Sequence, residues 1–141
     1  GKPYIMEVSP RAGGNRIAEL QRIGTGIDLI EAEVCKAVGA EIKPISMPHY
    51  DGFYVNYIVH SNQDGIFEDA IIDEDFQKKH VIEAEIRVKQ GDHVETFRGA
   101  NNAIGTLFLH FDSHKQMEYA LSRQRDWLKI VINEENNGIS W

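Results

Sequence analysis

Along this chain the spacing of apolar residues switches between the helical period and the two-residue period of a strand, and each switch marks an element. Tyr4 to Val8 is an apolar run that predicts a short buried strand. From Asn15 onward Ile17, Leu20 and Ile23 fall at helical spacing, with Gly24 as the stop. Thr25 followed by Asp28 has the form of a capping box. Beyond it Ile27, Ile30, Val34 and Val38 line one face of a second helix, closed by Gly39.

A linker with Pro44 and Pro48 follows, and the period then changes to that of a strand. Phe53 to His60 is aromatic and β-branched, and the turn residues Asn62 to Gly65 lead into a second strand from Ile66. Ile82, Ala84, Ile86 and Val88 alternate with Glu83, Glu85, Arg87 and Lys89, which predicts a strand with one wet face. Gln90-Gly91-Asp92 then predicts a hairpin into a partner strand at His93 to Phe97. Gly105 to Phe111 is a further strand. Ser113 with Gln116 caps a long helix whose Met117, Leu121, Gln124, Leu128 and Val131 share a face. The order predicts an α+β chain, an antiparallel sheet of all these later strands with flanking helices. The Leu121 face should lie across that sheet.

Composition narrows the function classes. At 141 residues the chain has the size of one domain and can bury a core. A formal net charge of −7 argues against binding nucleic acid or an anionic membrane, both of which want a basic face. No apolar run reaches the length of a membrane span, and no secretory signal is visible. A single cysteine, Cys35, reads as a packed thiol and fits a reducing, cytoplasmic setting. The opening Gly-Lys-Pro leads straight into strand-like residues, as expected of a piece of something longer.

The segment Glu7 to Gly14 holds the candidate chemistry. An acid at the end of a strand, followed by a proline, presents its carboxylate at a sheet edge. Gly13 and Gly14 ahead of a helix free backbone N–H groups for an anion, and Arg11 supplies a forked cation suited to phosphate or carboxylate. Acid, cation and anion cradle together are what a metal-bound phosphate requires. The same residues also fit a surface acid, a surface arginine and a glycine turn, and spacing alone leaves both readings open.

Other constellations carry less. His110 and His114 straddle a strand end and a helix start, so their rings need not converge on zinc. The acidic residues between Asp64 and Asp75 lack the spacing of a calcium loop and read as a solvated hairpin and helix start. Asn101 and Asn102 read as a loop whose side chains bond local backbone, and Trp127 and Trp141 as packing residues.

Glu7-Val8-Ser9-Pro10-Arg11 followed by Gly13-Gly14 resembles the E-x-N-P-R signature of ATP-grasp ligases, with serine where asparagine usually stands. Gly24-Thr25-Gly26-Ile27-Asp28-Leu29 resembles the opening of the helix after that signature. Residues 82–88, Gly91, Val94 and Ile104-Gly105 resemble the small C-terminal domain of the carboxylate–amine ligases, such as amino-acid ligases and phosphoribosylglycinamide-synthetase-like proteins. The resemblance implies the C-terminal portion of an ATP-grasp fold, with 1–45 closing the catalytic domain and 46–141 forming a small α+β domain. It implies Glu7 and Ser9 as Mg²⁺ ligands on the ATP phosphates, Arg11 as the contact to phosphate or the reacting carboxylate, and Gly13 and Gly14 as part of the phosphate cradle. Its partners would be an N-terminal ATP-grasp portion and small-molecule carboxylate and amine substrates, with a homodimer allowed. Because the nucleotide-binding half lies before this signature, the chain alone is expected to bind neither ATP nor Mg²⁺ tightly and to be inactive. A serine hydroxyl reaches less far than a carboxamide, so the alternative is a non-catalytic substrate-pocket or dimerisation module.

Overall fold

The computed structural model describes residues 2, 4–6 and 13–134; residues 1, 3, 7–12 and 135–141 lie outside the described residues. The chain divides into two compact units, Gly1–Tyr50 and Asp51–Trp141.

In the first unit the predicted opening strand is not formed over Tyr4 to Met6, and Met6 is 97% exposed. A strand needs a partner for its backbone groups, and the described part of this unit holds no other strand. Helix α1 spans Ile17–Thr25 and begins after Asn15 and Arg16, because those residues take left-handed backbone (φ 54° and 62°) rather than helical geometry. It runs past Gly24 and closes at Gly26, whose φ of 72° lets its N–H reach the Arg22 carbonyl. The capping-box expectation shifts by one element. Thr25 Oγ1 donates to the Gln21 carbonyl (2.6 Å) and accepts from the Ile27 N–H (3.1 Å), while Asp28 caps α2 (Leu29–Ala37) by accepting the Glu31 N–H at 2.9 Å. The expected apolar face of α2 exists as a stripe but stays open, with Val38 73% exposed.

In the second unit β1 (Phe53–His60) forms where the aromatic and β-branched run predicts it, and β2 (Gly65–Ile72) follows the predicted turn. Asp73 then caps a short helix, α3 (Glu74–His80), by accepting the Phe76 N–H at 2.9 Å. Strands β3 (Val81–Ile86), β4 (His93–Val94) and β5 (Ala103–Phe111) follow, then α4 (His114–Ser122) and β6 (Leu128–Asn133).

The strands make two antiparallel three-stranded sheets, in the orders β1-β5-β3 and β4-β2-β6, rather than one sheet. The expected β3–β4 hairpin is replaced by separation: β3 pairs with β5 and β4 with β2. The turn itself is real, since Lys89 N–H donates to Asp92 Oδ2 (2.8 Å) and Asp92 N–H to the Lys89 carbonyl (3.0 Å). The Gly91 N–H bonds the Phe67 carbonyl at 2.8 Å, so the turn carries the chain to the other sheet. A register shift between Val81 and Glu83 also turns Ile82 outward against its expected burial.

The long C-terminal helix is likewise corrected. Its Ser113 cap forms, but α4 ends at Ser122, and a short 3₁₀ turn at Gln124–Asp126 precedes β6. Ile130, Val131 and Ile132 are β-branched and favour the ladder that β2 offers. Trp127 Nε1–H donates to the Ala120 carbonyl at 2.8 Å and fixes the reversal. Leu121 is only half-buried, while Met117 and Ala120 pack on the core from α4.

That core draws on both sheets: Val59, Phe67, Leu107, Leu109, Phe111, Trp127 and Leu128 belong to one cluster. Strand β5 is its centre. Paired on both edges and buried along almost its whole length, it reads as a continuous apolar run instead of an alternation.

Candidate functional site

Of the residues singled out by the sequence, Glu7, Ser9 and Arg11 lie outside the described residues. Gly13 and Gly14 are described, exposed, and directly precede α1. A Cβ on Gly13 would meet Ile17 Cδ1 at 3.2 Å, whereas one on Gly14 would meet nothing within 4 Å. Neither glycine has the left-handed backbone that only glycine tolerates easily. That geometry falls on Asn15 and Arg16, two consecutive non-glycine residues, which is a stored local strain at the helix entrance.

Arg16 is held by its own helix. Its Nε donates to Glu19 Oε1 at 3.0 Å, and its guanidinium lies 2.5 Å from Glu19 Oε2, a forked pair that keeps the Glu19 carboxyl below its usual range. This pair is a feature that the sequence reading missed, although its i, i+3 spacing is a recognisable helix-surface signal. Its effect is to place a neutralised ion pair, not a bare cation, beside the glycines.

The same unit has a cleft of about 230 Å³ where α2 meets the segment Ile42–Ser46. Lys43 Nζ bonds Glu31 Oε1 at 2.7 Å across it, which raises the lysine above its ordinary pKa. Asp28 stands at its rim with its carboxyl held low, first by the Glu31 backbone N–H and then by the charge of Arg22. Cys35 lines this cleft and is half-buried, so it does not vanish into a core as expected.

Among the described residues, no group of three or more His, Cys, Asp and Glu side chains could hold a metal ion. His110 and His114 keep separate company: His110 Nε2 lies 3.3 Å from the Asp51 carbonyl oxygen, and His114 Nδ1 lies 3.4 Å from Glu118 Oε2. Asn102 Nδ2 donates to Glu95 Oε2 at 2.9 Å and its Oδ1 accepts the Arg98 N–H, a local loop role.

No family model matches the sequence, and no curated protein matches it either. Solved structures do match the fold. An L-amino acid ligase from Bacillus licheniformis superposes with a TM-score of 0.73 over 94% of this chain and 33% of its own, at 19% identity. A phosphoribosylglycinamide synthetase from Anaerococcus prevotii gives 0.66 over 92% of this chain and 34% of its own, at 18% identity. This is the fold of the C-terminal portion of an ATP-grasp enzyme.

A third ATP-grasp structure widens the chemistry of the neighbours without changing the fold. It is the biotin carboxylase domain dimer of 2-oxoglutarate carboxylase from Hydrogenobacter thermophilus, in complex with MgADP, ADP and bicarbonate. Its TM-score is 0.59 over 94% of this chain and 29% of its own, at 17% identity. The chain therefore spans about a third of the length of each of these three structures. No described helix is long and apolar enough to cross a membrane.

Proposed function

We propose that this chain is the C-terminal fragment of an ATP-dependent carboxylate–amine ligase that works through an acyl phosphate. The observation that carries this reading is the superposition on the L-amino acid ligase, whose fold covers 94% of the chain although the chain covers only 33% of the ligase. In this reading residues 1–45 close the catalytic domain and 46–141 form the small C-terminal domain.

A glutamate carboxylate and a serine hydroxyl are hard oxygen donors, which is the donor chemistry that Mg²⁺ prefers. Glu7 and Ser9 would hold the ion, and Gly13 and Gly14 would leave room for phosphate oxygens to approach the backbone. When bound, Mg²⁺ neutralises charge on ATP phosphates. Arg11 contributes a planar, permanently charged fork that positions a phosphoryl or carboxylate group. The nucleotide-binding portion is the partner this reading requires, with a small carboxylate and an amine as substrates in a cytoplasmic setting. The isolated chain is accordingly inactive.

The test belongs in the whole protein. Glu7→Gln keeps size and one oxygen but removes the charge, so ATP-dependent ligation should collapse while the thermal midpoint stays in place. Near-wild-type turnover in Glu7→Gln overturns the metal role of Glu7. Ser9 is the observation that favours a second reading, a non-catalytic pocket or dimerisation module, since it replaces the asparagine of the ATP-grasp signature. Ser9→Asn separates the two. Activity that is unchanged or higher supports the ligase, and a protein indifferent to both substitutions supports the module.

A further inference from the structure

Two aspartate–glycine pairs lie in the second unit, Asp51-Gly52 and Asp64-Gly65. Such a pair has a chemistry of its own, because a following glycine leaves its backbone nitrogen unshielded by any side chain and open to the aspartate Cγ. Closing that ring is an intramolecular reaction, fast wherever the main chain can bring the two atoms together. The fold demands both glycines. A Cβ at Gly52 would overlap His110 Nε2 and stand 2.6 Å from the Phe111 carbonyl oxygen, and one at Gly65 would overlap the Asn133 carbonyl oxygen. Neither pair can be dissolved by replacing its glycine, so the surroundings decide which of the two reacts.

Around Asp64 the chain is tied at several points. Its Oδ1 accepts the Thr96 N–H at 2.6 Å, and the neighbouring Phe97 N–H bonds the Ser61 carbonyl at 2.9 Å. The buried Ser61 hydroxyl donates to the Gln63 carbonyl (2.6 Å) and accepts the Gln63 N–H (3.0 Å). Gly65 is buried and already paired with Val94 in the ladder. Asp51 is placed differently. The segment 40–50 before it forms no helix or strand, and Asp51 and Gly52 precede β1 rather than belong to it. The Asp51 side chain is 66% exposed. Its Oδ1 accepts the Tyr54 hydroxyl at 2.5 Å, a side-chain donor that can follow the carboxylate as it turns, whereas the Thr96 N–H is main chain.

From this contrast we propose that Asp51 is a site of spontaneous isoaspartate formation and that Asp64 is held out of the same reaction. In the first step Gly52 N attacks Asp51 Cγ. A C–N bond forms, and the glycine N–H hydrogen leaves with the carboxyl's hydroxyl as one water, giving a cyclic imide. In the second step one water opens the ring. Attack at Cγ restores aspartate; attack at the main-chain carbonyl carbon of Asp51 breaks its bond to Gly52 N and leaves the chain running through Cβ and Cγ. Nothing is oxidised or reduced, and the mass is unchanged. The product lengthens the main chain by one methylene and carries a free α-carboxylate, which includes the carbonyl oxygen now 3.3 Å from His110 Nε2. An α-carboxylate inside a chain is the group that isoaspartyl methyltransferases esterify from S-adenosylmethionine, and the exposed Asp51 offers it to that class of enzyme. This chemistry needs no nucleotide and is independent of the ligase reading.

In the experiment the full 141-residue chain is kept for several weeks at physiological pH and temperature, either folded or in guanidinium chloride. Isoaspartate is located by electron-transfer fragmentation of its peptides, and an isoaspartyl methyltransferase with labelled S-adenosylmethionine reports the total. Asn137-Gly138, which forms the same imide with loss of ammonia, is read at its own position. In the unfolded chain only the shared Asp-Gly chemistry acts, and residues 51 and 64 should convert at similar rates. In the folded chain Asp51 should convert at least about tenfold faster than Asp64, the factor of one lost hydrogen bond to a carboxylate. Asp51→Glu, whose longer side chain closes such a ring far more slowly, should abolish the signal at residue 51 and leave Asp64 protected. Equal rates at the two positions in the folded chain, or a faster Asp64, overturn the proposal. So does a folded Asp51 that stays unmodified while the unfolded chain reacts.

Discussion

Gly105→Ala adds one methyl group at a crowded point of the second unit. Gly105 lies on β5 opposite Ile86 of β3, in a buried stretch. Its backbone is not left-handed, so the substitution acts through space alone. The new Cβ would overlap the Glu85 carbonyl oxygen and stand 2.9 Å from Ile86 Cδ1 and 3.0 Å from Ile86 Cα. Two of those three atoms are backbone, so no rotamer change clears the way and β3 must retreat. Overpacking a tight site costs about 1–3 kcal/mol, and a weakened ladder bond adds about 0.5–1.5. Restricting the unfolded chain returns about 0.4–1 kcal/mol, for a net loss of about 1–4. Urea unfolding followed by Trp127 fluorescence should therefore show a midpoint lower by about 1 M, taking a slope of about 2 kcal/mol/M. Trimming the neighbour with Ile86→Ala should not restore stability to Gly105→Ala, because the Glu85 carbonyl remains in the way. An unchanged or raised midpoint in Gly105→Ala, or full rescue by the second substitution, would refute the reasoning.

Asp64 accepts the Thr96 backbone N–H at 2.6 Å, and that bond is the main reason its carboxyl lies below the usual range. A lowered folded pKa gives stability that is present above the unfolded value and lost as pH falls through the folded one. Asp64→Asn keeps an acceptor without the titration, so its stability measured by urea titration should change less than the wild type's between pH 5 and pH 2. Hydrogen exchange should divide the elements: α2 buries none of its residues, and its amides should exchange much faster than those of β5. Equal protection in both would mean that the α2 face is covered.

The strands β1, β2 and β5 were legible because their signals are local. Each is an aromatic or β-branched run bounded by turn residues, and no distant partner is needed to recognise it. Pairing is a different matter. The Gln90-Gly91-Asp92 turn has the chemistry of a hairpin, yet whether β3 or β2 receives β4 depends on contacts remote in sequence. The C-terminal helix was overextended because Met117, Leu121, Gln124, Leu128 and Val131 happen to keep helical spacing through a segment that β2 claims as a strand. At the candidate site, Gly13 and Gly14 announce a turn, but the left-handed backbone sits one and two residues later. Asparagine tolerates that geometry better than most, which makes Asn15 the one sequence hint of it.

The two units answer the same kind of sequence pattern in opposite ways. In the second, the apolar run of β5 is buried and Trp127 at 5% exposure closes the core beside it, although Ile82 and Ala84 of β3 stay exposed. In the first, the helical spacing of Ile30, Val34 and Val38 is realised as a helix, but their side chains remain about half or more exposed. Burying an aliphatic side chain contributes about 1.5–3 kcal/mol, and an isolated helix shorter than about 12–15 residues is marginal in water. Helices α1 and α2, nine residues each, therefore carry a patterned face whose stabilising contribution is not collected within the described residues. The matching ATP-grasp structures are about three times as long as this chain, so on the ligase reading there is further protein that could cover that face. On that reading the exposed stripe is a property of the fragment.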